Sequence, residues 1–488
     1  MIRRGRHSSG LYWPWIGLWT AVGLGIRLGS VFGRPNRVAG GDAYYSHNAA
    51  ALLVAGQGFI NPFRYFPHHL HHHVQTASWP PLFVFILAAA TVVGAKSFFA
   101  QRIWCCIIGA SAVVLCGLVG REIGGRRVGI ITAFLVAVYP NIWMSNELAL
   151  SETLSPVLVA LVLLAAYKFW KRPTLWNVLW LGGSIGLAAL GRDELSLLAV
   201  FILVPLVLLA KTLSWWRRIA FVGLALLTAL VLVMPWVGYN MSRFTDPVYI
   251  SSGFGVTLAS ANCDQTFNGM FEGYWSLECA EIAARKAETK PHADESVQSD
   301  ELESYALHYI RGHENRLIPV ELAKLGRGFG FFHPFEQIEL DERVETRPYH
   351  WALLGLYMYW ALLALSVGGV VLLRRRRVPV FPLLAIGLDV AISMAVTFGQ
   401  TRYRTTFEVS LVLLASVQLE WFWSRVRPRR GAVVRGDHGD DDDDDDDDSD
   451  DGHDDSPAED VRALVDDDTD DAPDEDRSAE VAVPAPAG

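Results

Sequence analysis

Ten long apolar runs recur along this chain of 488 residues, and each is interpreted as one membrane-crossing helix. A helix needs about 20 apolar residues to cross the hydrocarbon core of a bilayer, so the shorter runs must borrow flanking polar residues. The runs are Leu11–Val31, Ser97–Val119, Val128–Trp143, Thr153–Phe169, Leu175–Leu190, Ser196–Ala210, Ile219–Val237, Trp351–Leu373, Pro379–Phe398 and Thr406–Phe422. With 51% hydrophobic and 19% charged residues, the chain is too apolar for an ordinary soluble protein. The sequence therefore predicts an all-α polytopic membrane protein of about ten spans.

Basic clusters indicate how these spans are oriented. If the short run Pro80–Val93 stays in or near the outer interface, all six clusters fall on one side of the membrane. Lys and Arg concentrate on the cytoplasmic side, so both termini are predicted there and the site on the extracytoplasmic face. A crossing Pro80–Val93 would instead put every later cluster on the side opposite the N-terminus. The clusters are Met1–Arg6, Arg121–Arg127, Lys168–Arg172, Lys211–Arg218, Arg374–Arg377 and Arg425–Arg435.

Polar stretches divide the chain into four predicted parts. Residues 1–239 form an N-terminal transmembrane region with a first extracytoplasmic loop at about 32–96. Residues 240–348 form an extracytoplasmic insert, 349–424 a C-terminal transmembrane region, and 425–488 a basic and then acidic cytoplasmic tail. From about Gly431 the tail has too few apolar side chains to order itself. Its run Asp440–Asp448 lacks the spaced ligands and turn glycines of a calcium site.

Two local features are predicted inside the insert. Cys263 and Cys279 share this polar segment and are candidates for a disulfide in an oxidising space. A helix is predicted to begin at Asp300, where Glu303 completes an acidic capping box. Leu302 and Ala306 then fall on one face of that helix, which packs against either the insert's own core or the membrane body.

Charged residues gather at span ends on the predicted extracytoplasmic face. Asp42 follows the first span after a glycine pair and is accompanied by Tyr44 and Tyr45. A single Asp at a span end is either a helix cap or a functional carboxylate. Asp389 instead lies in the middle of an apolar run, and the sequence offers no explanation for it.

The order of several short motifs resembles the membrane glycosyltransferases of the GT-C class. The likeness covers about residues 10 to 425 and is closest to the bacterial branch related to protein O-mannosyltransferases and to the lipid A aminoarabinose transferase. One departure is Ala43, where many relatives carry a second acidic or other polar residue. The motifs are Gly41-Asp42-Ala43-x-Tyr45, Ser78-Trp79-Pro80-Pro81-Leu82, Asn146-Glu147-Leu148-x-x-Ser151-Glu152-Thr153-Leu154, Gly186-Leu187-Ala188-Ala189-Leu190-Gly191-Arg192, Pro235-Trp236-x-x-x-Asn240 and Arg402-Tyr403-Arg404.

The resemblance implies that Asp42 is the general base that takes the proton from an acceptor hydroxyl. It also favours Glu152 as the acidic partner that orients the acceptor or binds a metal, with Glu147 as the alternative. Further candidate substrate-binding residues are Tyr45, Tyr403, Asp193 and Glu194.

Three arginines at span ends are the candidates for holding a donor phosphate, because a guanidinium can grip phosphate oxygens bidentately. They are Arg192, Arg402 and Arg404. The alternative is that they reach lipid headgroups or pair with neighbouring carboxylates such as Glu408.

Metal binding is left open by the sequence, and no cofactor is certain. The histidine-rich segment 68–73 offers His69 and His72 as weak ligand candidates, but contiguous histidines rarely form a closed coordination sphere. Headgroup contact or a mobile loop is the preferred interpretation of this segment. No glycine-rich phosphate loop and no nucleic-acid motif is present.

The predicted function is transfer of a hexose or pentose from a polyprenyl-phosphate donor to an extracytoplasmic acceptor, with inversion. The acceptor is a glycan, a glycolipid or a protein, and the donor arrives laterally through membrane lipid. The alternatives are a transporter or flippase of a lipid-linked sugar and a non-catalytic scaffold of envelope assembly.

Overall fold

The computed structural model describes residues 11–66, 73–287 and 293–426. Across these residues the chain is helical, with one isolated antiparallel bridge between Ile60 and Gln75. The predicted tail beyond Val426 and the histidines at 69 and 72 lie outside the described residues. The all-α polytopic fold class predicted from sequence is confirmed.

The N-terminal half contains eleven α-helices among the described residues. They are α1 Tyr12–Phe32, α2 Gly41–Val54, α3 Pro62–Tyr65, α4 Pro81–Val92, α5 Phe98–Gly124, α6 Arg126–Val138, α7 Pro140–Leu148, α8 Ser155–Lys171, α9 Leu175–Gly191, α10 Val204–Leu208 and α11 Trp215–Met241. Short 3₁₀ turns at Ser151–Thr153 and Asp193–Leu197 and a π-helical turn at Ala199–Leu203 lie between them.

The second half begins with the insert and ends with three long helices. The insert contains α12 Phe254–Ala261, α13 Asp264–Asn268, α14 Leu277–Lys286, α15 Glu295–Gly312, α16 Glu314–Gly328 and α17 Pro334–Glu345. The three helices that follow are α18 Tyr349–Arg375, α19 Phe381–Val396 and α20 Thr405–Val426.

Within the described residues, five helices are long and apolar enough to cross a membrane by themselves. They are α1, α5, the segment Ser151–Lys171 that includes α8, α11 and α18. A sixth candidate is the pair α6 and α7, which is bent by 47° at Tyr139. The bend has a local cause, because Pro140 at the start of α7 holds the preceding residue in an extended conformation.

This number is lower than the ten spans predicted from sequence. Of the other predicted spans, Leu175–Gly191 and Phe381–Val396 are apolar helices of 17 and 16 residues. The predicted span Ser196–Ala210 is broken into 3₁₀, π and α turns. The apolar run beginning at Pro80 forms a helix of only 12 residues, Pro81–Val92. At about 1.5 Å per residue, this helix is roughly half as long as a bilayer core is thick.

Helices α9 and α11 approach each other through small residues. A side chain at Gly182 would collide with the backbone of Ala225, and a Cβ at Gly186 would lie 2.8 Å from the carbonyl oxygen of Ala229. Small residues spaced by four let two backbones come close in a membrane, where van der Waals packing replaces the hydrophobic effect. The two glycines therefore fix how α9 and α11 meet.

The insert has a small core of its own. Leu302 and Ala306 of α15 pack with Leu258, Ala259 and Ala283, which settles the two alternatives in favour of the insert's own core. A disulfide joins Cys263 and Cys279.

The predicted helix start at Asp300 is wrong, because α15 begins at Glu295. Its N-cap is Asp294, whose carboxylate accepts hydrogen bonds from the backbone N–H groups of Ser296 and Val297. An N-cap that satisfies two free amides takes precedence over a second capping pattern further along the helix.

Candidate active site

A cavity of about 1440 Å³ opens where the first loop, several span ends and the insert meet. The predicted residues that line it are Asp42, Glu152, Arg192, Asp193, Glu194, Arg402 and Tyr403. The structure thus brings together side chains that are up to 360 positions apart in sequence.

Asp42 is presented by a sharp turn before α2. Gly41 has a φ of +50°, a left-handed conformation that glycine adopts without strain, and Gly40 is the N-cap residue. Asp42 therefore lies in the first turn of α2 and is not itself the cap. Its carboxylate is partly exposed to the cavity and accepts a hydrogen bond of 2.6 Å from Nη1 of Arg402.

Arg402 is the centre of the charged cluster in the cavity. Besides Asp42, its Nε lies 3.5 Å from Oε1 of Glu152 and 3.3 Å from Oε1 of Glu345. The same Nε donates a hydrogen bond of 2.9 Å to the side chain of Gln400. One guanidinium thus faces three carboxylates from three separate parts of the fold.

Arg192 is the second cation of the cluster. Its Nη1 donates a hydrogen bond of 2.8 Å to Glu152, and its Nε pairs with Glu194. The guanidinium also lies over the ring of Tyr403, 5.3 Å from the centroid. Glu152 consequently joins the two arginines, which places two cations on one wall of the cavity.

Glu345 lines the cavity but escaped prediction from sequence. It is the last residue of α17, its side chain is 7% exposed, and it accepts a hydrogen bond from Gln400. Burial raises the pKa of Glu345 to about 8, although the nearby Arg402 guanidinium opposes the rise. No motif or span end marks this residue, so only the fold reveals it.

Asp193 connects the cavity wall to the insert. Its carboxylate accepts a hydrogen bond from the hydroxyl of Ser251, while its Oδ1 is buried without a partner among the described residues. Asp193 therefore holds the position of the insert as well as lining the cavity.

Glu147 lies away from the cavity in a buried cluster of arginines. Its carboxylate lies 2.8 Å from Arg37, 3.1 Å from Arg34 and 3.6 Å from Arg102. Arg102 also donates a hydrogen bond of 2.7 Å to the backbone carbonyl of Arg34. Glu147 thus anchors the segment that precedes Asp42 through ion pairs with Arg34 and Arg37. It does not line the cavity and is not placed to contact a ligand there.

Arg404 and Tyr45 are also buried outside the cavity. Arg404 pairs with Glu408 at 2.7 Å, and its guanidinium lies 3.6 Å from the ring centroid of Tyr359. This pairing corresponds to the alternative interpretation of that arginine. The hydroxyl of Tyr45 lies 3.2 Å from that of Thr76.

A metal centre is not formed by the residues that the structure describes. No group of three or more His, Cys, Asp or Glu side chains in these ranges is arranged to hold a metal ion. The available carboxylates also fit a metal ion poorly, because those of Asp42, Glu152 and Glu345 all face the guanidinium of Arg402.

The architecture is similar to that of solved membrane transferases. The Archaeoglobus fulgidus oligosaccharyltransferase in its apo form matches with a TM-score of 0.50 and 14% identity. The same enzyme tethered to an acceptor peptide that contains an NVT sequon matches with a TM-score of 0.53 and 17% identity. Each match covers 86% of this chain. The chain has a GT-C fold.

The GT-C fold confirms the class recognised from the sequence motifs. This chain spans about half of the length of the oligosaccharyltransferase, 51% and 50% in the two structures. ArnT from Cupriavidus metallidurans bound to undecaprenyl phosphate also matches, with a TM-score of 0.42, 14% identity, and coverage of 83% of this chain and 78% of that one.

A sequence-family model supports the same class. Residues 78–239 match the model of the dolichyl-phosphate-mannose-protein mannosyltransferases, which is about a third of the chain. Glu152 and Arg192 lie inside the matched region, whereas Asp42, Glu345 and Arg402 lie outside it. No curated protein matches the sequence.

Proposed function

We propose that this protein is an integral membrane glycosyltransferase that moves a hexose or pentose from a polyprenyl-phosphate donor to an acceptor hydroxyl. The observation that carries the proposal is the pair Arg192 and Arg402, which share Glu152 and line one cavity with the carboxylate of Asp42. A base for the acceptor hydroxyl and cations for the departing phosphate are what displacement of a phosphate from a sugar requires.

The reaction is a single displacement at the anomeric carbon. The acceptor oxygen forms a bond to that carbon while the bond between the carbon and the phosphate oxygen breaks. Asp42 takes the acceptor proton, and the electron pair of the broken bond leaves with the polyprenyl phosphate. Because attack and departure occur on opposite faces, the anomeric configuration is inverted.

Arg192 and Arg402 stabilise the charge that builds on the departing phosphate. Both guanidinium groups are held by Glu152, so little reorganisation is needed when the charge develops. In the unliganded chain Arg402 is bound to Asp42. A phosphate that engages Arg402 competes for this bond and releases the carboxylate to act as base.

The comparisons support the class of reaction and leave donor and acceptor open. The family model describes transfer from a dolichyl-phosphate-linked mannose to protein, and it matches the segment that carries Glu152 and Arg192. The oligosaccharyltransferase of similar fold was solved with an acceptor peptide. The basic clusters support cytoplasmic termini and a site on the extracytoplasmic face.

A transfer assay in proteoliposomes tests the proposal. Full-length protein is supplied with radiolabelled polyprenyl-phosphate mannose, glucose or arabinose and with envelope extract as acceptor, and labelled product is separated from donor. We expect Asp42→Asn to reduce transfer by about 10³-fold or more, since the general base and its charge are lost.

Glu122→Gln provides a matched carboxylate control. Glu122 pairs with Lys171 and does not line the cavity, so its substitution should leave transfer intact. If Asp42→Asn transferred the sugar at the full rate, Asp42 could not be the general base. Movement of the labelled lipid across the bilayer without a covalent product would favour the flippase.

A further inference from the structure

The insert exposes an apolar surface that a water-soluble segment would be expected to bury. On α16, Ile318 and Leu322 are 73% and 64% exposed, and their spacing of four places them on one face. Phe331, in the connection to α17, is 64% exposed, and Phe335 at the start of α17 is exposed as well. These four side chains are called the apolar edge of the insert.

The opposite face of α16 is bound to the transmembrane helices. Lys324 donates a hydrogen bond of 3.3 Å to the carbonyl of Ala395 near the end of α19. The carbonyl of Gly328 accepts a hydrogen bond of 3.0 Å from Arg404, just before α20. Helix α16 is therefore in direct contact with the bundle and does not project away from it.

The connection after α16 also lies well along a spanning helix. The indole of Trp360 donates a hydrogen bond of 3.2 Å to the carbonyl of Gly330. Trp360 lies eleven residues after the start of α18 at Tyr349, on the order of 16 Å along the helix axis. Phe331, the residue after Gly330, therefore lies beside α18, and α18 is a candidate span.

Charge on the inner face of α16 is neutralised within the protein. Lys324 pairs with Glu321 at 2.7 Å, and Arg327 pairs with Glu336 at 2.8 Å. Both cations are buried, so α16 does not offer them to an outside partner. Beyond its first turn, the residues that α16 exposes are Ile318, Pro319 and Leu322.

We infer that the apolar edge of the insert, Ile318, Leu322, Phe331 and Phe335, is immersed in the interfacial region of the lipid bilayer. Lipid is favoured as occupant because the segment that carries this edge is bonded to α18, a candidate span, and to α19, an apolar helix of 16 residues. An amphipathic helix with one apolar face lies in the plane of such an interface. This inference does not depend on the identity of the donor or acceptor.

Nitroxide labels on single introduced cysteines test the inference on the full chain in nanodiscs of phosphatidylcholine and phosphatidylglycerol. The positions are Leu322→Cys and Phe331→Cys, with Ser304→Cys on the exposed surface of α15 as the matched control. The free cysteines at 105, 106 and 116 are buried, and Cys263 and Cys279 are joined, so the new cysteine reacts selectively.

Collision of each label with oxygen and with a water-soluble nickel chelate is compared. We expect the ratio of oxygen to nickel collisions to be several-fold higher at positions 322 and 331 than at 304. A ratio at 322 and 331 equal to that at 304 would overturn the inference in favour of a water-exposed edge. Protection from both reagents, with an immobilised spectrum, would overturn it in favour of a protein partner or a second copy.

Discussion

Arg402 donates a hydrogen bond of 2.6 Å to the carboxylate of Asp42, although 360 positions separate the two residues in sequence. This bond joins the first turn of α2 to the turn before the last helix, and both residues line the cavity. The same guanidinium faces Glu152 and Glu345, so its removal leaves three carboxylates without their shared cation.

Substitution of Arg402 should affect the reaction more than substitution of Arg404. We expect Arg402→Lys to lower the transfer rate by about 10² to 10³-fold, because an ammonium group cannot replace the planar guanidinium as a bidentate donor. Arg404→Lys breaks a buried pair with Glu408 outside the cavity and should lower the thermal unfolding midpoint instead. Initial rates and unfolding midpoints of both variants in nanodiscs would separate the effects. Equal rate losses at equal stability would contradict the assignment.

Glu147→Gln is expected to destabilise the protein strongly. It removes the carboxylate that three arginines share, and one of them, Arg102, is fully buried. An unpaired buried charge costs about 3–5 kcal/mol in the free energy of unfolding. The exposed pair of Arg376 with Glu420 gives the control, since Glu420→Gln should cost less than about 1 kcal/mol. If both variants lost a similar free energy of unfolding in urea, the buried Glu147 cluster would stabilise the protein no more than the exposed pair does.

Glu345 should make stability depend on pH. Burial raises its pKa to about 8, so the folded chain keeps a proton that the unfolded chain releases above about pH 4.5. Its contribution to stability is therefore greatest at low pH, falls between about pH 4.5 and 8, and is constant above that. The slope approaches about 1.4 kcal/mol per pH unit. Unfolding midpoints of the native chain and Glu345→Gln across this range should converge toward acid pH, and parallel curves would contradict the prediction.

Asp389 lies within α19 and is fully buried, with neither carboxylate oxygen bonded among the described residues. Burial of an unsatisfied polar group costs about 1–3 kcal/mol. Asp389→Val, which has similar volume, should therefore raise the thermal unfolding midpoint. Val390→Ala in the next position serves as a packing control and should lower it. A lower midpoint for Asp389→Val would mean that the carboxylate has a partner in the membrane.

The residues brought together in the cavity were found from sequence for a physical reason. Glu152, Arg192 and Arg402 each lie close to the end of an apolar run, and Asp42 lies in the loop that follows the first run. Because a membrane aligns the ends of its spans in one plane, residues far apart in sequence become neighbours.

Position in the sequence does not show which of two neighbouring charged residues points into the cavity. Glu147 is five residues from Glu152 and Arg404 is two residues from Arg402, yet each points into a separate buried cluster. The direction of a side chain depends on helix breaks such as the one at Tyr139, which the apolar pattern does not encode. Glu345 was missed because its position follows from how the insert folds onto the bundle.

The contact between α9 and α11 has a consequence for how these helices can move. Gly182 receives Ala225 and Gly186 receives Ala229, so the spacing is four residues on both helices. A slide of one or two residues would drive larger side chains against the glycine positions. A slide of one full turn is blocked as well, because it would bring Phe221 or Val233 against one of the two glycines, so this pair of helices is locked in a single register.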